Sequence, residues 1–224
     1  MGIRGGGRDG VRRRLPTVLW LAAFFALLLW SGIHPRDRFT WFLEVLPAIL
    51  GLVVLALSYR RFRLIPLAYG LVLLLSAVLM IGGHYTYAQV PAFDWLRDLL
   101  GVHRNDYDKL AHLVQGFVPA ILAREVFIRL RVINGRAWLN FLVACFCLAL
   151  SAAYELVEWG VAELTGAAAE AFLGTQGYVW DTQSDMALAL LGSLLALGAL
   201  GRWHDRQIQR MFPIHRDRKT LLSG

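Results

Sequence analysis

The chain has 224 residues, of which 57% are hydrophobic and 17% charged, and its mean hydropathy is +0.51. Soluble domains run at about 45–50% apolar and about 25% charged, so this composition excludes a disordered tail, a secreted disulfide scaffold and an ordinary soluble enzyme. The formal charge of +7 would suit a nucleic-acid binder, but such a protein would not carry long uncharged runs; no nucleic-acid partner is expected, and the composition points to an all-α, polytopic membrane helix bundle.

Six apolar stretches follow one another, near residues 15–33, 42–59, 64–83, 110–128, 137–159 and 185–201. Each is close to the length that about 30 Å of hydrocarbon requires. The first follows a basic leader (Arg12, Arg13, Arg14), as a signal peptide would. Its run is long, however, and Ser31–Pro35 offers no small-residue cleavage pattern, so it reads as an uncleaved helix. Cys145 and Cys147 lie two apart in the fifth stretch, on different helix faces, and read as buried apolar residues rather than a disulfide or a metal clip. In the sixth stretch Gly192, Gly198, Ala187, Ala189 and Ala196 make a small-residue surface suited to close helix packing.

Basic residues orient these spans. The leader 1–14 carries five, the turn after span 2 three, the connection around the end of span 4 four, and the tail 202–224 six, so 18 of the 23 fall in alternate segments. Both termini are therefore expected in the cytoplasm. Trp30, Trp41, Trp138, Trp159, Trp180 and Trp203 fall at span ends, where an amphipathic ring prefers the interface. The expected organisation is a basic cytoplasmic leader (1–14), one six-helix transmembrane domain (15–201) and a basic cytoplasmic tail (202–224). Within the domain, 15–83 reads as scaffold, 84–109 as an extracytoplasmic loop and 110–201 as the half that carries a polar site.

Three pairs define that site: Asp108 with His112, Glu155 with Glu158, and Asp181 with Asp185. Their spacings of three and four put the members of each pair on one helix face. The expected topology puts all three pairs at the extracytoplasmic end of their spans. Ionisable groups inside a bilayer are costly and point to function, and so many carboxylates need a cation or shared protons. His84, at the outer end of span 3, could join them. Gln115 lies one turn inward from His112 and could orient it; Tyr154, Gln176 and Gln183 flank the pairs. Plainer roles compete: Asp108 could favour a helix dipole, Asp181 or Ser184 could cap span 6, and His112 could be a packing residue. Glu155 and Glu158 resist such a reading, because a helix C-terminus disfavours negative charge. Gly174–Trp180 reads as a turn or a cap over the pocket, and Arg124–Glu125 as residues snorkelling to the cytoplasmic interface.

Oxygen donors with an imidazole suit a divalent metal such as Zn²⁺ or Mn²⁺. In this reading Asp108, His112, Asp181 and Asp185 are ligands, and Glu155 or Glu158 is the general base in hydrolysis of an ester or phosphoester of a membrane-embedded, lipid-linked substrate. Alternatively the acids shape a non-enzymatic binding or proton-coupled transport site, or the protein is a structural partner in an envelope complex. The sequence leaves enzyme against non-enzyme open and does not fix an oligomeric state; membrane lipid is the one certain partner.

Three segments carry a family resemblance: Tyr107–Asp108–Lys109–Leu110–Ala111–His112, Tyr154–Glu155–Leu156–Val157–Glu158–Trp159, and Gly174 through Met186. They resemble the YjdF-like family of bacterial inner-membrane proteins, a domain of unknown function, over roughly residues 40–200. The resemblance implies a multi-span inner-membrane protein and carries no activity with it. The residue after Gly177, often acidic in that family, is Tyr178 here, which argues against an essential ligand at that position. A weaker similarity to VanZ-like membrane proteins, which pair an Asp-Lys-x-x-His segment with later acids, hints at an envelope role.

Overall fold

A computed structural model describes residues 6–133, 135–166 and 170–213. The first five leader residues and the tail from 214 onward lie outside the described residues. The described chain is helical: α1 (Gly6–Gly32), α2 (Arg38–Ser58), α3 (Pro66–Tyr85), a 3-10 turn (Tyr87–Gln89), α4 (Pro91–Leu100), α5 (Tyr107–Arg129), α6 (Arg136–Thr165), a short α7 (Glu170–Leu173) and α8 (Asp181–Met211). Six of these, α1, α2, α3, α5, α6 and α8, are long and apolar enough to cross a membrane, and they coincide with the six expected spans. Their ends run further than expected. The 31 residues of α8 reach about 46 Å at 1.5 Å per residue, so the first ten residues of the expected tail are helix.

α5 is the central element, packed against α8, α6 and α3. One core joins Leu71 of α3, Val118 and Ile121 of α5, Leu139, Val143 and Cys147 of α6, and Ala196 of α8. The α5–α8 contact is backbone to backbone. A Cβ on Gly116 would sit 1.8 Å from the Ala189 carbonyl oxygen, and one on Gly192 would sit 2.0 Å from that of Leu113. The expected small-residue surface of α8 is therefore real but narrower: Ala189, Gly192 and Ala196 are buried in it. Ala187 and Gly198 are exposed instead, because they fall off the 4-3-4 spacing of residues 185, 189, 192 and 196 that keeps one face toward α5. Elsewhere the spans present apolar side chains outward, among them Leu29 at 69% and Leu57 at 79% exposure; in a bilayer these are lipid contacts. Cys145 and Cys147 are free thiols on different faces, and only Cys147 is buried as expected; Cys145 is exposed, because a spacing of two turns it away from the core that Cys147 joins.

The segment between α3 and α5 is more ordered than a loop. Pro91 opens α4 at its first position and Gly101, with φ +66°, closes it in the left-handed conformation, the usual start and stop chemistry of a helix. None of its residues is buried, and Trp95, Leu99 and Leu100 are more than 60% exposed. Beside it, Tyr87 fills a recess that only glycine permits, since a Cβ on Gly82 would meet its ring at 1.6 Å. Burial, reinforced by the nearby Glu44 carboxylate, pushes the Tyr87 phenol well above its ordinary pKa.

Candidate functional site

The α5–α8 stripe ends in acids. Continuing the register of Gly116 and Ala189 by four residues at a time reaches His112 and Asp108 on α5, and Asp185 and Asp181 on α8. The glycine contact thus fixes how closely these side chains can approach. α6 closes the third side with Glu155 and Glu158. All six are buried, at 8% exposure or less.

His112 is the hub. Its Nε2 lies 3.4 Å from Asp108 Oδ1 and 4.0 Å from Asp185 Oδ2, and its Nδ1 lies 3.9 Å from Glu155 Oε1. An N–H···O hydrogen bond needs about 2.7–3.2 Å, so these groups face one another without bonding. His112 Nδ1, Glu155 Oε1 and Asp185 Oδ1 have no hydrogen-bond partner among the described residues. Buried polar atoms are normally paired; here Nδ1 and Glu155 Oε1 face each other at 3.9 Å, while Nε2 on the other side of the ring faces the two aspartates. One ligand atom each from Asp108, His112 and Asp185 lies within 4.8 Å of the other two.

Asp181 is in the cluster but committed elsewhere. Arg104, from the segment before α5, donates to its Oδ1 at 2.6 Å and reaches Asp108 Oδ2 at 3.8 Å. The Arg104 guanidinium stacks 5.2 Å from the Tyr178 ring, and Lys109 approaches the same ring at 5.9 Å. Tyr178 therefore serves the site as an aromatic floor for its cations. The Gly174–Trp180 segment is pinned beside it: Gln176 Oε1 accepts from the Asn105 backbone N–H at 3.1 Å, and its Nε2 donates to the Asn105 carbonyl at 2.9 Å. Asn105, fully buried, also donates to the Val90 carbonyl and to Asp94.

The remaining expected residues are distributed unevenly. The Tyr154 hydroxyl donates to Glu44 Oε2 at 3.3 Å, and its ring stands edge-on to His112 at 6.4 Å. Gln183 is exposed, and Gln115 makes no hydrogen bond to His112 among the described residues. His84 turns away from the cluster. Its Nδ1 pairs with the Ser31 carbonyl of α1 at 3.0 Å and its ring stacks on Trp30.

Two residues were missed. Glu44, on a span that reads as scaffold, is 1% exposed and joins the cluster through Tyr154; a lone acid in an apolar run was its available signal. Arg104 was legible only as one more loop cation. A third expectation is corrected. Arg124 and Glu125 do not snorkel: they are 2% and 0% exposed. Arg124 Nη1 lies 2.7 Å from His204 Nδ1 and 2.8 Å from Asp205 Oδ1. Glu125 accepts from the Ile65 backbone N–H at 3.1 Å and from Arg129 at 2.7 Å. Gln207 accepts from the Leu67 N–H at 3.2 Å. Together Glu125 and Gln207 satisfy donors that the start of α3 would otherwise leave orphaned in an apolar setting.

Comparison with known proteins adds a family and no activity. The chain is 48% identical over 184 residues to the inner membrane protein YjdF of Escherichia coli (strain K12), covering 82% of this chain and 88% of that protein. The VanZ-like similarity does not reappear in the matches, and no solved structure matches the chain. The family model described as "Predicted membrane protein (DUF2238)" matches residues 16–206, which take in most of α1 and α8, the whole of the other four long helices and every residue of the buried cluster. The chain belongs to the DUF2238 family of membrane proteins.

Proposed function

We propose that Asp108, His112 and Asp185 bind a divalent metal, Zn²⁺ or Mn²⁺, in a membrane-embedded hydrolytic site of the bacterial inner membrane, open to the extracytoplasmic side. One observation carries the reading: three buried side chains of ligating type sit just beyond hydrogen-bond reach of one another. Ligands about 2.1 Å from a tetrahedral metal stand roughly 3.4 Å apart, and the His112–Asp108 and His112–Asp185 separations are 3.4 and 4.0 Å. Charge supports it too. Asp108, Asp185, Glu155, Glu158 and Glu44 outnumber the cations beside them, and a buried excess of this kind calls for a cation.

The roles then separate. His112 would ligate through Nε2, leaving Nδ1–H toward Glu155. A ligating imidazole characteristically gives its second N–H to a carboxylate, which fixes its tautomer and orientation. Glu155 is thus a positioning residue, and the base that takes a proton from the attacking water falls to Glu158. Asp181, held by Arg104, moves from ligand to counter-ion. A bound metal would polarise the scissile ester or phosphoester and lower the pKa of its water. The position of the cluster inside the bundle favours a lipid-linked envelope substrate.

Metal analysis of the purified full chain tests this. About one metal per chain is expected, lost in His112→Ala and Asp185→Asn and retained in Asp181→Asn. Glu155→Gln should weaken affinity about 10- to 100-fold, the usual cost of losing such a partner. A metal-free wild type that takes up neither ion overturns the proposal.

A further inference from the structure

At the opposite end of α1, α2 and α3 from His84 lies an apolar slot of about 510 Å³, lined by Trp20, Leu52, Leu55, Tyr59, Gly70 and Met211 among others, with Arg63 at its rim. Its origin is a splayed helix pair. At one end α1 and α2 are tied, with Trp41 Nε1 donating to Ser31 Oγ at 3.1 Å and Gly32 against the Trp41 ring. Toward the other end α1 turns to α3 instead, and Trp20 Nε1 donates to the Tyr69 carbonyl at 2.8 Å. The space between α1 and the last turns of α2 stays open, and a Cβ on Gly70 would meet nothing within 4 Å.

Arg63 lines this slot, and two further arginines share its turn. Arg60, Arg61 and Arg63 follow α2 directly and are exposed, and none of them pairs with a carboxylate among the described residues. The turn that carries them is held from beneath. Arg129 donates to the Arg63 carbonyl at 2.7 Å and its guanidinium lies 3.7 Å from the Phe62 ring. Glu125 holds the Ile65 N–H. Three arginines on one fixed turn, with Arg63 lining the apolar slot, match a phosphate with an acyl chain attached. Guanidinium is the side chain best suited to phosphate, basic pockets between membrane helices bind anionic headgroups, and the volume is that of a ligand site.

We propose that this slot binds an anionic glycerophospholipid, its acyl chain between α1, α2 and α3 and its phosphate on Arg60, Arg61 and Arg63. Native mass spectrometry of the full chain with phosphatidylglycerol and phosphatidylethanolamine of identical acyl chains tests it. The wild type should retain phosphatidylglycerol at least tenfold over phosphatidylethanolamine. Replacing all three arginines by alanine should abolish that preference, and Gly70→Leu, which fills the slot without touching the headgroup turn, should reduce retention of both lipids. Equal retention of the two lipids by the wild type would mark the slot as ordinary lipid contact and overturn the proposal. So would a preference that survives the triple substitution, or a Gly70→Leu variant that retains lipid as the wild type does.

Discussion

At the scale of single residues, Arg104 sets the charge balance of the cluster. It is 13% exposed and spans Asp181 at 2.6 Å and Asp108 at 3.8 Å, so removing it leaves two buried carboxylates short of a cation. Breaking a buried pair from one side costs about 3–5 kcal/mol. Arg104→Ala should therefore lower the unfolding midpoint of the metal-free protein markedly. Adding Asp181→Asn should recover much of the loss, with a coupling of about 1–3 kcal/mol in a double-mutant cycle. Strictly additive effects would show that the two side chains do not act as a pair. The same reasoning shows why the sequence pointed at Asp181 as a ligand. Helical spacing reveals which residues share a face, but not that a cation from a distant connection has already claimed one of them. His84 differs from expectation for a related reason: its position along α3 gives its height, whereas its direction, toward Ser31 and Trp30, is set by packing on α1.

Among the elements, the α5–α8 contact does most to determine the site. Gly116 against Ala189 and Gly192 against Leu113 leave no room for a side chain. Gly192→Leu should push the helices apart, cost at least ~1–3 kcal/mol through overpacking, and abolish metal retention even though no ligand is altered. Gly198→Leu, on the exposed face where a Cβ meets nothing, should change the unfolding free energy by no more than about 0.5 kcal/mol. Equal effects of the two would remove the contact from its assigned role. The spans themselves were legible because bilayer thickness imposes a length and a composition that survive any detail of packing. The small-residue surface of α8 was legible as composition but not as register, since only the partner helix shows which glycine it needs. α4 escaped notice although Pro91 and Gly101 bracket it, because ten residues with an exposed apolar face carry no span-length signal. Glu125 shows a further limit: a carboxylate near a span end looks like an interfacial residue until the start of α3 is placed beside it.

Across the whole molecule, α5 and α8 carry polar clusters at both ends. His112 and Arg124 are twelve residues apart, about 18 Å along a helix. Between them the buried residues of α5 are Gly116, Val118, Pro119, Ala120, Ile121 and Ala123, and those of α8 between Ala189 and Ala196 include Gly192 and Ser193, whose hydroxyl donates to the Leu190 carbonyl. This stretch, with no ionisable side chain among its buried residues, separates the His112 cluster from the Arg124–His204 cluster, an arrangement that suits a site reached from one side better than a proton or ion path through the bundle. Combined with the cytoplasmic side that the distribution of basic residues leads us to expect for the Arg60–Arg63 turn and both termini, it yields a sided prediction. A membrane-impermeant chelator added to right-side-out vesicles should strip the metal from the wild-type protein within the time of protein-free exchange. The same chelator outside inverted vesicles should leave the metal in place. Reversed sidedness would overturn the assigned orientation while sparing the metal site. Loss from both preparations would show that the stretch between Val118 and Ala123 does not seal the bundle, and would move the balance toward a transport role.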